Sequence, residues 1–197
     1  MTYFPKNRIE AFSDGVFAIV VTLLVLELKV PELTDPSQLP AALVHLMPKF
    51  LSWVISFAVV CIFWVNHHRL FHTLKQADNN VPWLNGLYLM FISFIPFPTA
   101  LMGEYIQDKL PVIFFGAVMV LASLTASLLR AYASRKDELL EDGLNHSEVR
   151  SFAKRSFLFG PVLYACAALS GWIHPYVAVG LYVVIPIYFI LPKRVHK

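Results

Sequence analysis

Charge is what this sequence has least of. Only 15% of its 197 residues are Asp, Glu, Lys or Arg, while 57% are hydrophobic; a soluble domain carries roughly 25% charged and 45–50% apolar residues. A water-soluble fold has no way to hide that much apolar surface. Cysteine is almost missing too. Cys61 and Cys166 both fall inside apolar stretches, where a free thiol behaves as a small hydrophobe, so neither a disulfide framework nor a redox compartment can be read from them. There is no phosphate-binding glycine loop, no nucleophile beside a base and no complete metal-ligand set, which removes the usual grounds for an enzyme or a cofactor. Internal repeats and low-complexity tracts are absent as well.

What is present is a series of apolar blocks at residues 12–28, 50–65, 81–101, 110–129, 157–172 and 176–191. Each approaches the roughly 17–25 residues a helix needs to cross a bilayer. Backbone groups cannot hydrogen-bond to lipid, so each block is predicted as a helix despite its β-branched runs. A β-barrel would need alternating ten-residue segments, and none is found. The first block resembles a signal peptide in its basic lead, Lys6 to Arg8, but it contains Asp14 and runs into Glu27-Leu28-Lys29 without a small-residue cleavage site, so it is expected to be retained. The chain reads as one membrane domain over residues 1–197.

The net charge of +3 points to topology and not to nucleic acid, because the basic residues sit in the connections. With both termini cytoplasmic and six crossings, thirteen of the sixteen Lys and Arg fall inside: Lys6, Arg8, Arg69, Lys75, Arg130, Arg135, Lys136, Arg150, Lys154, Arg155, Lys193, Arg194 and Lys197. Lys29, Lys49 and Lys109 fall outside, the asymmetry that the positive-inside rule demands. The outer connection contains a short helical pattern from Leu39 to Leu46, and Pro48 suits the first turn of the second span. The longest inner connection carries the turn signal Asp142-Gly143 and then Asn145 to Glu148, which can cap the fifth span. Asn145-His146-Ser147 matches a glycosylation acceptor, idle on the cytoplasmic side.

The first span has an unusual polar start, with Arg8, Glu10 and Asp14 close to its N-terminus. Ionisable groups there must be paired or wetted. One reading is an interfacial anchor, with Arg8 snorkelling and the acids favoured near a helix N-terminus; the other is the start of an ion pathway. Phe12, Val16, Ile19, Leu23 and Leu26 follow at spacings of four, three, four and three, on one helix face. That stripe suits either an ordinary packing seam or contact with copies of itself.

Arg8-x-x-x-Phe12-Ser13-Asp14-Gly15-Val16-Phe17-Ala18-Ile19, followed by Thr22-Leu23-Leu24-Val25-Leu26-Glu27, closely resembles the first-helix signature of the prokaryotic members of the transmembrane protein 175 family, relatives of the lysosomal potassium channel. The resemblance implies an all-α membrane protein of six transmembrane helices per subunit, assembled as a homotetramer with helix one lining a central pore. It implies a potassium-preferring cation channel in a bacterial inner membrane, with potassium ions as permeant and no cofactor. The Thr-Val-Gly-Tyr-Gly filter of ordinary potassium channels is absent here, as it is in that family. Carried over by position, the constriction is Ile19, Leu23 and Leu26, with Thr22 as the adjacent hydroxyl. Apolar rings close a pore by dewetting, without binding the ion. The resemblance further places Arg8, Phe12, Ser13 and Asp14 in an assembly network with Trp64, His68 and Asn85, because buried charge is tolerated only when paired.

Three other features bear on function. His67, His68 and His72 end the second span, and His68 with His72 have the spacing of a metal pair, but nothing nearby completes a site. Pro96 and Pro98 in the third span suit either a static kink or a hinge. Ala122 and Ala126 offer a small-residue contact face. The alternative function is an ion-coupled secondary transporter, which also uses broken helices and ionisable groups; no charge deep in the spans and no inverted repeat speak for it.

Overall fold

The computed structural model describes residues 4–190, except the side chains of 156–158 and 190. Lys193, Arg194 and Lys197 from the inner count, and Leu191 at the close of the last apolar block, lie outside the described residues.

Among those residues the regular structure is helical, apart from two isolated bridges, Phe4 with Ala77 and Leu74 with Leu140. Helix α1 (Lys6–Val25) starts directly after the extended Pro5, six residues before the apolar block, because its polar lead is helical too. A short 3-10 turn at Pro36–Gln38 leads into α2 (Leu39–His45), the outer helical pattern. Helix α3 (Met47–His72) carries Pro48 in its first turn, where the missing N–H costs no hydrogen bond. Helices α4 (Asn80–Phe94) and α5 (Pro96–Glu104) make up the third block and are interrupted at Ile95. Pro96 and Pro98 remove two N–H donors from the ladder. The Thr99 hydroxyl donates to the Ile95 carbonyl at 2.8 Å and lies 2.7 Å from the Ser56 hydroxyl, so the break is fastened to α3.

Helix α6 (Lys109–Ala133) and helix α7 (His146–Ser170) follow, then α8 (Pro175–Ile190). Asn145 caps α7 by accepting from the Ser147 amide at 3.2 Å and donates to Glu148 at 3.0 Å. Helix α7 thus begins eleven residues before its apolar block, in the polar connection. Gly143, in the turn before it, has a φ of +89°, a conformation suited to glycine. Three helical stretches, Met47–His72, Asn80–Glu104 and Lys109–Ala133, are long and apolar enough to cross a membrane, and Pro175–Phe189 is apolar but shorter.

Helices α6 and α7 pack closely because small residues line their seam. A Cβ on Gly116 would fall 2.6 Å from the Ala168 Cβ, and one on Gly160 would fall 2.3 Å from the Ser123 hydroxyl. Ala122 is fully buried in the same region. The main core joins Phe17, Val20 and Leu24 of α1 to Val59 and Phe63 of α3, Ile92 of α4 and Phe115 of α6. A second cluster, including Ile9, Phe71, Leu74 and Leu139, seals the end where the chain begins.

Candidate functional site

Helix α1 has two apolar faces with different fates. Ile9, Ser13, Phe17, Val20 and Leu24 are buried. Phe12, Ile19, Leu23 and Leu26 are 65%, 60%, 42% and 64% exposed within the single chain. At ~100° per residue, the exposed stripe lies about a quarter turn from the buried one. Val16 lies half-buried between them, and Leu26 is the residue that caps the helix. Thr22 is exposed and its hydroxyl donates to the Ile19 carbonyl at 2.8 Å, the back-bond common for a membrane threonine.

The polar start of α1 is held by two separate sets of hydrogen bonds. In the buried one, His67 Nε2 is 2.8 Å from Asn85 Oδ1, and Asn85 Nδ2 donates to Ser13 Oγ at 2.9 Å. Ser13 Oγ donates in turn to the Ile9 carbonyl at 2.8 Å. Since the Asn85 carbonyl oxygen is an acceptor only, the imidazole must donate from Nε2. The His67 ring is wedged against Phe71 at 4.4 Å, Phe17 at 5.8 Å and Tyr88 at 6.0 Å between centroids. One residue each from α1, α3 and α4 therefore forms a relay with every link satisfied, as a buried polar group requires.

In the second set, Trp64 Nε1 donates to Asp14 Oδ1 at 2.8 Å on the exposed side of α1. His68 stacks on Trp64 at 6.2 Å and is itself exposed. Of the seven residues grouped in the predicted network, the fold thus pairs Ser13 with Asn85 and Asp14 with Trp64. The histidine hydrogen-bonded to Asn85 is His67, not His68. The helical phase of α3 carries that information: Ser56, Val59, Phe63, His67 and Leu70 are buried at spacings of three and four, and His67 shares their face. Arg8 and Phe12 line a groove of about 300 Å³ with Pro82 and Gly86 beside Asn85, and Arg8 makes no ion pair among the described residues.

Below this anchor, the charged connections are laced together. Lys6 donates to the Leu74 carbonyl and to Glu141 at 3.1 Å. Asp78 is buried and accepts from Tyr132 and Lys136, each at 2.6 Å, and from the Asn80 and Val81 amides. Burial pushes the Asp78 carboxyl up, but the bonds from Lys136, Tyr132 and the two amides outweigh it and hold the group below its ordinary value. Sequence reasoning missed this cluster, whose members are scattered over 58 positions. At the opposite end of α1, a cleft of about 700 Å³ is lined by residues including Lys29, His45, Lys49 and Asp108, with Lys49 paired to Glu104 at 2.5 Å. Among the described residues no three His, Cys, Asp or Glu side chains are grouped as a metal site.

The sequence model of the endosomal/lysosomal potassium channel TMEM175 family matches residues 8–96, which include α3, α4 and all of α1 but its first two residues. A potassium channel of Chamaesiphon minutus is 39% identical over 190 residues, covering 94% of this chain and 93% of that protein. A potassium channel of Chryseobacterium sp. is 33% identical, covering 98% and 96%. The human endosomal/lysosomal proton channel TMEM175 is 34% identical over 83% of this chain, which spans 34% of its length. The crystal structure of a lysosomal potassium-selective channel TMEM175 homolog from Chamaesiphon minutus superimposes with a TM-score of 0.84 at 37% identity, covering 93% of this chain and 95% of that one.

Proposed function

The chain belongs to the endosomal/lysosomal potassium channel TMEM175 family, and from that premise we propose that it is a potassium channel gated at an apolar constriction on α1. The observation that carries the constriction is the exposed stripe Phe12, Ile19, Leu23 and Leu26 on a helix whose other face is buried. In a bilayer such a stripe can face lipid or other copies of the chain, and the motif it shares with the family favours the copies. Four copies of the chain meeting along α1 would leave Ile19, Leu23 and Leu26 around the axis. Rings of this kind hold no ligand for an ion and block flow by excluding water. Opening then consists of widening or wetting the rings, with Thr22 offering the nearest hydroxyl.

The rest of the architecture belongs to the same proposal. Six crossings would be made by α1, α3, the α4–α5 pair, α6, α7 and α8, with both termini on the cytoplasmic side of a bacterial inner membrane. The grouping of Lys6, Lys75 and Lys136 at one end of the bundle supports that orientation. The polar relay and the Asp14–Trp64 bond hold α1 in place and do not touch the ion. A coupled transporter is left without an observation in its favour.

Purified protein in liposomes should release potassium down its gradient without a proton or sodium gradient; flux that strictly follows either gradient would sink the channel reading. Because a human relative is named a proton channel, internal pH is recorded alongside. Ile19→Ala and Leu23→Ala should raise conductance or weaken potassium selectivity. Unchanged currents in both would remove α1 from the constriction. A chemical cross-linking ladder ending at four supports the tetramer, and one ending at two overturns it.

A further inference from the structure

Four carboxylates of the cytoplasmic-end connections already have cations. Asp78 takes Lys136 at 2.6 Å, Asp137 takes Arg150 at 2.7 Å, Glu141 takes Lys6 at 3.1 Å and Asp142 takes Lys75 at 2.7 Å. Several guanidiniums at the same end have no carboxylate among the described residues, Arg8 included, and two of them, Arg130 and Arg69, are placed about Asn66. Arg130, in the last turn of α6, is half-buried. Its Nη2 donates to the Asn66 carbonyl at 3.3 Å, and its Cζ lies 5.3 Å from the centre of the Phe152 ring. The Asn66 carbonyl is also the regular acceptor within α3, so this long bond is shared, and a ring face does not neutralise a charge. Arg69, in the last turn of α3, stands three residues after Asn66 and hence on the same side of that helix. It is exposed, on the side of α3 that the Arg130 guanidinium reaches through the Asn66 carbonyl.

Two like charges on one side of α3, one of them half out of water, are costly unless an anion joins them. Each guanidinium presents a planar fork of donors matched to phosphate oxygens. Phe152, packed on Arg130, is 60% exposed, so the cations sit beside bare apolar surface at the end of membrane-length helices. That combination suits a molecule with a phosphate and a hydrocarbon part. We propose that Arg69 and Arg130 bind the phosphate of an anionic phospholipid in the leaflet at this end, with Phe152 against its apolar portion. The inference needs the chain to span a bilayer, and does not need it to conduct potassium.

The test titrates the full-length protein in a neutral detergent with short-chain phosphatidylglycerol, short-chain phosphatidylcholine and inorganic phosphate. Melting temperature and lipid adducts in native mass spectrometry are recorded together. Phosphatidylglycerol should raise the melting temperature saturably, and the other two should not. Arg69→Gln, at an exposed position, should fold and bind roughly tenfold more weakly, the loss expected for a charge-assisted contact. Arg130→Gln should lose the adduct in its folded fraction, and Arg130→Lys should bind between wild type and Arg130→Gln. If Arg130→Gln does not fold, Arg69→Gln decides the matter. An equal response to phosphatidylcholine, a response to inorganic phosphate matching that to phosphatidylglycerol, or unaltered affinity in Arg69→Gln would each overturn the proposal. Potassium flux measured in pure phosphatidylcholine vesicles keeps a failure here distinct from a failure of the channel reading.

Discussion

Asn85 is the side chain on which the arrangement of three helices turns, since it accepts from His67 and donates to Ser13. Asn85→Ala would leave a buried imidazole N–H without its acceptor and remove a donor from the Ser13 hydroxyl. The expected cost is about 1–3 kcal/mol, read as a lower melting temperature. Asp14→Ala should act in the same direction by freeing the Trp64 indole; a stable, normally assembled variant with altered ion selectivity would contradict that role. Ser13, Asp14, Trp64 and Asn85 were legible as polar residues inside or beside apolar blocks, where an unpaired group is too costly to leave unexplained. Which histidine joins them was not, because adjacent residues on a helix differ by ~100° in direction. Only the packing of α3 against α4 sets which of His67 and His68 faces inward.

Among the elements, α1 shows most clearly what periodicity can and cannot decide. The stripe Phe12, Val16, Ile19, Leu23 and Leu26 is visible in the sequence, yet Ile9, Phe17, Val20 and Leu24 form an equally apolar face. Nothing in hydrophobicity distinguishes the face that packs inside the subunit from the one left for another contact. The seam between α6 and α7 is a second case. Gly116→Ala would drive a Cβ to 2.6 Å from that of Ala168 and 2.1 Å from the Tyr182 hydroxyl. Overpacking of this kind costs about 1–3 kcal/mol, so thermal unfolding should start at lower temperature. Gly180→Ala, inside α8, meets nothing within 4 Å and serves as the control, which should melt no lower than wild type because alanine favours the helix. The interruption at Ile95 was foreseeable from Pro96 and Pro98, but its attachment to α3 through Thr99 and Ser56 was not.

At the scale of the whole molecule, the two polar connections at one end, with the start of α1, act as a plate beneath the helices. Its centre is Asp78, whose bonds join the start of α4 to the end of α6. A carboxyl held below its ordinary value of 3.8 adds stability above the unfolded value, and that stability is lost as pH falls through the folded one. Wild-type protein should therefore lose stability on acidification below about pH 4. Asp78→Asn should be less stable at neutral pH and show a flatter acid limb, measured by thermal melts across a pH series. A parallel acid limb in the variant would assign the loss to other groups.

The amino-acid sequence alone determined that the chain is built of membrane-type helices, where their apolar stretches lie though not how far their polar ends extend, and which family it resembles. These follow from local quantities: the length of apolar runs, the absence of lipid partners for the backbone, and a contiguous motif on one helix. The tertiary structure decided which face of α1 is buried, that His67 and not His68 completes the relay, that Asp78 is bound by residues 54 and 58 positions away, and that Arg130 reaches across to the Asn66 carbonyl on the side of α3 that carries Arg69. Each of these depends on the rotation of one helix against another. That rotation is set by side chains far apart in the chain, and no periodicity within a single helix contains it.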